Sequence, residues 1–534
     1  MTLLLPLFVV VPVVVAAVLA FVTGRAGDGR VRSGTVATPA TLVAVAAAAV
    51  VVLVRQASGP PEAVAVGLWP AGIAIPLVVD AFSALMLVTT ALLSLACVGF
   101  ALASGEADRR WFAPLVLLLT AGVNGALLTG DLFNLFVFVE VMLLPSYGLL
   151  TLARRGRGTA ERITGARLFV VVNLFTSTLL LTGIAFTYGS AGTVVLAELA
   201  GAAQRSGPVA AAVGLVLLAL LIKASVVPFH GWLARTYPQA SPAVTALFSG
   251  LHTKVAVYGV YRIHSVVFAG ETRWLWIGLA LFTATMVVGV LGAVGESTTR
   301  SILTFHMTSQ IGYVLLGVAL ASPLGLAAGI FYLIHNMVAK TSLFLSTGAV
   351  EVRYGPGPLG RITGLMRREP ATAVAFFLAA LALAGLPPLS GFVAKLTLVL
   401  AAVDAGQALV ATLAVLVSLL TLLSMLKIWT GLFAGEEKVP DDEPAPVPAS
   451  GSGTGSGSGA GSGAGSGAGS DGTVAVRDRT DRRIGPGLIA PALVLALATV
   501  VLGVGAEPLF ALCRDAAADL LDPAAYVAAV RGTP

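Results

Sequence analysis

Apolar runs long enough to cross a bilayer recur from one end of the chain to the other, and nothing else in the sequence restricts its fold as much. Crossing a hydrocarbon core takes roughly 20 apolar residues of helix. That measure marks runs at 3–22, 36–55, 76–103, 111–130, 131–153, 164–188 and 208–233. Seven more follow at 240–268, 273–297, 300–321, 325–350, 371–400, 404–434 and 486–506. Inside hydrocarbon each backbone polar group must be satisfied within its own segment or by a closed barrel, and long uninterrupted runs satisfy it as helices. The expected fold class is an all-α membrane protein of about 14 transmembrane helices. Composition agrees: of 534 residues, 57% are hydrophobic and 11% charged, against about 25% charged in soluble chains.

The first run lacks a preceding basic segment, which makes it a spanning helix and not a cleaved signal. The net charge of +6 is scattered between apolar runs without an aromatic-interleaved patch, so no nucleic-acid partner is expected. Cys97 and Cys513 have no partner spacing for a metal or disulfide, and neither a metal site nor a cofactor is expected.

Loops after odd-numbered spans hold roughly twenty Lys and Arg against about three in the others (Arg55, Arg205, Arg273), which by the positive-inside rule places both termini outside. Residues 441–472 are rich in Gly, Ser and Pro and read as a flexible cytoplasmic linker. The expected organisation is spans 1–3 over 1–110, a first repeat of spans 4–8 over 111–268, and a second of spans 9–13 over 273–434. The linker region over 435–483 and span 14 with a tail over 484–534 complete it.

The repeat rests on a short self-match. Pro228-Phe229-His230-Gly231-Trp232-Leu233-Ala234 in span 7 reads like Pro388-Leu389-Ser390-Gly391-Phe392-Val393-Ala394 in span 12. Proline removes a backbone donor and glycine loosens the ladder, so spans 7 and 12 are expected to be broken helices, with Pro228, Gly231, Pro388 and Gly391 at the breaks. Two such spans five apart imply an inverted five-helix repeat. A second match sets Glu140 and Tyr147 in span 5 against His306 and Tyr313 in span 10, pairing a carboxylate with an imidazole.

A charge at mid-bilayer costs about 2.5–3.5 kcal/mol on insertion scales, so such residues are functional candidates. Glu140, Lys223, Lys254, Lys340 and Lys395 fall inside spans, as do His230, His252, His306 and His335. Imidazoles exchange protons near neutral pH, which suits a proton-translocation relay. Asn173, Ser177, Thr178, Thr308, Ser309, Gln310, Thr341 and Ser342 are polar enough to hold water between them. Plainer readings stand beside these. Glu140 could be paired only for assembly, and Lys223 and Lys395 could be helix-end lysines reaching an interface. Lys427 reads as snorkelling, His264 as a satisfied polar residue, and Asp80 and Asp131 as interfacial.

The stretch Gly130-Asp131-Leu132-Phe133-Asn134-Leu135-Phe136-Val137-Phe138-Val139-Glu140-Val141-Met142-Leu143-Leu144-Pro145-Ser146-Tyr147 resembles the fifth helix of the proton-translocating antiporter superfamily. That superfamily includes Mrp-type cation/proton antiporters and the antiporter-like subunits of respiratory complex I. Similar stretches surround Lys223 and run from Ser241 to Leu247 and from Leu251 to Gly259. With Val139 where complex I relatives usually carry tryptophan, the pattern most resembles the D-type subunits of Mrp antiporters. The resemblance implies that Glu140 and Lys223 form the first-half pair, Lys254 the central lysine and Lys395 the second-half terminal lysine. It also implies a non-enzymatic secondary transporter subunit in a prokaryotic plasma membrane. Such a subunit would move protons to drive Na+ or other monovalent-cation efflux, in complex with other membrane subunits. The alternative is a proton-pumping subunit of a complex I-type NADH-quinone oxidoreductase or a membrane-bound hydrogenase. Pro145 and the Gly/Ser linker depart from the family pattern.

Overall fold

Hydrophobic runs become helices wherever they are not interrupted by proline, glycine or a polar loop. A computed structural model describes residues 4–25, 32–57, 59–69, 74–152, 159–438 and 483–532. The expected linker at 441–472, and Arg154, Arg155, Arg157, Arg477, Arg479 and Arg482 of the basic loops, lie outside the described residues.

The chain opens with α1 (Leu7–Arg25) and α2 (Arg32–Gln56). A hairpin follows, β1 (Glu62–Ala65) antiparallel to β2 (Pro76–Val79), with Glu62 opposite Val79. Span 3 is expected to start at residue 76. Strand β2 occupies that start instead, and α3 (Ala81–Ser104) begins behind an Asp80–Ser83 capping box. Then come α4 (Phe112–Leu128), α5 (Leu132–Thr151), α6 (Thr159–Ala191), a single turn α7 (Ala202–Arg205), α8 (Gly207–Lys223), α9 (Gly231–Thr236) and α10 (Pro242–Ile263). The second half holds α11 (Leu275–Gly295), α12 (Thr299–Ala319), α13 (Pro323–Tyr354), a turn α14 (Leu365–Arg368), α15 (Pro370–Ala384), α16 (Ser390–Asp404) and α17 (Ala408–Leu432). Last are α18 (Pro486–Val504), α19 (Ala506–Leu521) and α20 (Ala524–Arg531). The tail expected after span 14 is thus two further helices. Helix α5 runs through Pro145, which is buried.

Nine of the described helices are long and apolar enough to cross a membrane. Helix α10, at 22 residues, is not among them, because Ser249, His252, Thr253, Lys254 and Arg262 lower its apolar character. Helices α8 and α15 are apolar but short. Each is the first piece of a run interrupted at one of the two Pro-Gly motifs, with α9 and α16 resuming beyond the break.

Helix α13 is the axis of the molecule. It packs against α3, α10, α12, α15, α16, α18 and α19, and every residue from Gly325 to Val350 is buried. At the periphery α5, α6 and α17 turn large apolar residues outward, among them Leu144, Phe175 and Leu419, as a lipid- or protein-facing rim requires.

Loops gather at two ends. At one, Gly130 N donates to the Pro76 carbonyl at 2.8 Å, Asp131 bridges to Val195, and Ser265 Oγ donates to the Leu520 carbonyl. At the other, Thr298 bridges to Pro358, Thr363 to Lys438, and Ile484 N donates to Glu369 Oε1 at 2.9 Å.

Two helix pairs repeat in packing. On α4 an added Cβ at Gly122 would lie 2.5 Å from Met142 N of α5, and one at Gly125 would lie 2.3 Å from the Phe138 ring. On α11 a Cβ at Gly289 would lie 2.3 Å from Ser309 N of α12, and one at Gly292 would lie 2.3 Å from the Phe305 ring. One constant offset carries Gly122, Gly125 and Phe138 onto Gly289, Gly292 and Phe305. The same offset carries Glu140 onto Met307 and Val139 onto His306. The expected Glu140–His306 correspondence is therefore displaced by one residue, about 100° of helix rotation.

Candidate functional site

Both interrupted runs place a lysine at the C-terminal end of a half-helix. Orphaned carbonyls there carry the negative end of the helix dipole, which favours a cation. Lys223 is the last residue of α8. Beyond it Ser225 takes a left-handed conformation (φ 68°), and the carbonyl of Ile222, which also accepts Ser225 N at 3.0 Å, accepts Trp232 Nε1 at 3.0 Å. In the second run Gly385 ends the first piece at φ 89°, and Lys395 reaches back across the break to give Nζ to the Ala384 carbonyl at 3.0 Å. A Cβ on Gly385 would come within 2.7 Å of Lys395 Cδ, so the glycine leaves room for the lysine stem. Gly391 is tighter still: a Cβ there would lie 1.7 Å from the Ala382 carbonyl and 3.0 Å from His335 Cε1. Its counterpart Gly231 faces open space.

The carboxylate of Glu140 on α5 accepts from Ser177 Oγ of α6, and Lys223 Nζ donates to Asn173 Oδ1 of α6 at 3.3 Å. Asn173 and Ser177 stand four apart on one face of α6. The direct Glu140–Lys223 ion pair expected from the sequence is absent among the described ion pairs. The two charges instead lie within Coulomb range, bridged by a helix that supplies a hydroxyl to one and an amide oxygen to the other. Lys223 is buried, whereas Glu140 is half-buried at the rim. Thr178 of the same helix points outward.

Inward from Lys223 comes His252 on α10, within Coulomb range of the lysine. Its ring lies 5.6 Å from that of Phe169 and 5.4 Å from that of Phe248, and neither ring nitrogen has a hydrogen-bond partner in the structure. Two residues on, buried Lys254 donates to Thr253 Oγ1 at 3.2 Å. Lys340 on α13 donates to the Leu303 carbonyl of α12 at 3.0 Å and lies within Coulomb range of both Lys254 and Lys395. Around Lys395, the Tyr313 ring lies 5.1 Å from Nζ and stacks on Tyr332, whose hydroxyl donates to Gln310 Oε1 at 2.5 Å. His306 Nε2 lies 2.5 Å from Ser424 Oγ, and His335 Nδ1 lies 2.8 Å from Ser390 Oγ, just after the second break.

The structure thus groups Lys223 with Glu140 and His252, and Lys340 with Lys254, Lys395 and His306, with His335 beside Lys395; His252 and Lys254 stand two apart on α10, and all but Glu140 are buried. His230 is part of neither group, being half-buried beside Phe305. Lys427 is exposed and caps α11, giving Nζ to the carbonyls of Val294 (2.9 Å) and Glu296 (2.6 Å).

Asp80, expected at an interface, caps the start of α3. It is 1% exposed and pairs with buried Arg262, whose guanidinium also faces the Tyr526 ring at 4.8 Å. This cluster joins α3 and α10 to α20. Its signal in the sequence is an arginine within an apolar run. The pair Arg300–Glu351, at the opposite end, carries no comparable mark, because both residues stand at the polar ends of their runs.

Residues 129–421 match the transmembrane family described as NADH:quinone oxidoreductase/Mrp antiporter. The D-type subunit of the Na(+)/H(+) antiporter of Alkalihalophilus pseudofirmus is 35% identical over 87% of both chains. A chain in the Mrp complex of Dietzia sp. DQ12-45-1b superposes with a TM-score of 0.91 at 52% identity, covering 100% of both. A chain of respiratory complex I from Thermus thermophilus shares the fold, with a TM-score of 0.69 at 24% identity over 93% of this chain and 98% of that one.

Proposed function

Because the chain belongs to the NADH:quinone oxidoreductase/Mrp antiporter family, we propose that it is the proton-translocating subunit of a multisubunit Na+/H+ antiporter. Its protons pass along the buried succession from Glu140 to Lys395. The succession carries this reading: four lysines, three imidazoles and one carboxylate are costly in a bilayer, and they gather in two groups that α10 carries between His252 and Lys254. The names and identities of the antiporter relatives favour it over a redox-linked pump, which the complex I likeness supports at the level of fold alone.

The chain crosses the membrane fourteen times when α8 with α9 and α15 with α16 each count as one broken crossing. Spans 4–8 (α4 to α10) and 9–13 (α11 to α17) form two inverted repeats, which the paired glycine contacts of α4–α5 and α11–α12 support. Both termini are outside, the 441–472 segment is a cytoplasmic linker, and the other membrane subunits of the complex are the partners.

The work of the relay is electrostatic. Each buried cation disfavours protonation of the next, so a proton arriving at one site releases one from its neighbour. Glu140 starts the series: drawn toward Lys223 it stabilises the ammonium, and when it moves away the lysine gives up its proton inward to His252 and Lys254. One charge moved through 100 mV is worth about 2.3 kcal/mol, enough to drive a cation outward elsewhere in the complex.

Replacing Glu140 by Gln keeps the side-chain shape and removes the charge. Cation/proton exchange by the whole complex in everted vesicles should fall below about a tenth of wild type, since a lost buried partner costs several kcal/mol and tenfold needs only ~1.4. Retention of more than half the exchange at equal complex levels would overturn the reading.

A further inference from the structure

The proposed succession from Glu140 to Lys395 needs a way to the face that carries most of the basic loops. At that face a cavity of about 30 Å³ lies between the ends of α12, α13 and the following loop, lined by Thr299, Thr347, Glu351 and Arg361. A water needs about 10–15 Å³ measured this way, so there is room for about two. Glu351 is half-buried and pairs with Arg300 of α12. Arg300 also donates to the carbonyls of Pro238 (2.9 Å) and Ala240 (2.5 Å), beyond α9. Among the lining residues Arg361 adds a second positive charge, while α17 contributes apolar Leu432.

Inward of Glu351, one face of α13 carries Thr347 and then, past apolar Phe344, Lys340. Lys340, Phe344, Thr347 and Glu351 recur at the four-three-four spacing that puts them on one face of α13. Thr299 and Thr347 are buried, 8% and 2% exposed. Leu303, whose carbonyl accepts Lys340 Nζ, stands one turn along α12 from Thr299, roughly 6 Å of helix axis. The lysine therefore leans toward the cavity from its inner side.

We infer that Glu351 and the water-sized cavity beside it form the port through which protons pass between the basic-loop face and Lys340. The inference rests on the reading of Lys340 as a relay member. Protons balance without any other reactant. Glu351 takes a proton from bulk water, gives it to the cavity water, and the water and Thr347 hydroxyl pass one on to the free amine of Lys340. Glu351 returns to the carboxylate paired with Arg300.

The test uses the complete complex in everted vesicles, with assembly checked for each variant. Glu351→Ala and Glu351→Gln should slow exchange about tenfold or more, well within what a positioned proton donor contributes. Added formate or azide, small weak acids able to enter the vacated space, should restore most of the Glu351→Ala loss. The same acids should not restore Lys340→Ala, which lacks the acceptor. Arg300→Ala breaks the same ion pair and keeps the carboxylate, so a purely structural pair predicts equal loss in Glu351→Ala and Arg300→Ala with no recovery by acid. That result, or near-normal exchange in both Glu351 variants while Glu140→Gln is inactive, overturns the port alone. Near-normal exchange in Glu140→Gln and Lys340→Ala would remove the relay and the port together.

Discussion

Lys223 and Lys427 look alike in sequence, each a lone lysine in an apolar run, and their surroundings separate them. The first ends a half-helix beside Asn173 and within reach of Glu140, whereas the second is exposed and caps the carbonyls that end α11. Lys223→Ala deletes a titrating amine and strands a carboxylate, so sodium-driven proton-gradient dissipation should nearly vanish. Lys427→Ala loses a cap worth about 0.3–1 kcal/mol and should keep most of the activity. Equal damage at equal complex levels would place the proton path elsewhere. A different residue offers a pH test. Asp519, on α19 after the last span, is raised to about 6, by burial first and then by the Asp80 carboxylate. That is above the ~3.9 of an unfolded aspartate, so the ordered helix favours the protonated acid. Ionising it costs stability in full above the folded value, less as pH falls from about 6 toward 4, and nothing below. Asp519→Asn should slow hydrogen exchange of residues 506–531 relative to the parent at pH 8 and match it at pH 4. A difference largest at pH 4 would reverse the sign argued here. The charged residues themselves were legible in the sequence, because a charge in an apolar run is costly and conspicuous. Their partners were legible only in part: Asn173 and Ser177 stood out as polar within an apolar run, but Ser424 did not, and which charge each meets comes only from which helix lies opposite.

The two breaks show how far a motif can be read at the scale of an element. The prolines fall within both interruptions, 224–230 and 385–389, whereas Gly231 and Gly391 stand in the first turn of the helices that resume. What the break encloses is not local. The first is closed by the Trp232 side chain on the Ile222 carbonyl and the second by Lys395 on the Ala384 carbonyl, so one motif serves two different caps. The glycines diverge in the same way. A methyl at Gly391 would press on the Ala382 carbonyl and displace His335, while one at Gly231 meets nothing. Gly391→Ala should therefore cost about 1–3 kcal/mol or more in thermal stability and reduce exchange through His335. Gly231→Ala should change stability by less than about 1 kcal/mol, the ordinary helix preference for alanine offsetting little. Melting of the purified complex, with exchange measured on the same preparations, separates them; similar losses in both would mean the motif works through backbone flexibility alone. The second match of the proposed repeat falls one residue from the paired packing contacts of α4–α5 and α11–α12. Matching Glu140 to His306 compared side-chain chemistry, whereas the glycine and phenylalanine contacts record which helix faces touch.

Across the whole molecule, the count of crossings and the distribution of basic residues must agree on which loops share a side. The contacts supply an independent constraint. The loop before α3, those at 129–131 and 192–206, the turn after α10 and the helices after α18 touch one another through Gly130–Pro76, Asp131–Val195, Ser265–Leu520 and Arg262–Tyr526. These are the segments that an even number of crossings assigns to the outside. The segments around Ser241, Thr298, Pro358, Thr363, Lys438 and Ile484, assigned inside, make no bridge to that group among the described residues and are joined instead through Glu106–Ser241, Thr298–Pro358, Thr363–Lys438 and Glu369–Ile484. Arg262, a basic residue at the end proposed as outer, does not contradict the charge rule, because Asp80 neutralises it within the fold. Alkaline phosphatase fused after residue 534 should accordingly be active and a fluorescent protein fused there dark, with the reverse for fusions placed in the 441–472 segment. Activity of the phosphatase at both positions would mean that α18 does not cross, and a fully reversed pattern would turn the molecule over, putting the Glu351 cavity on the outer face and making it a site of proton uptake from the other side.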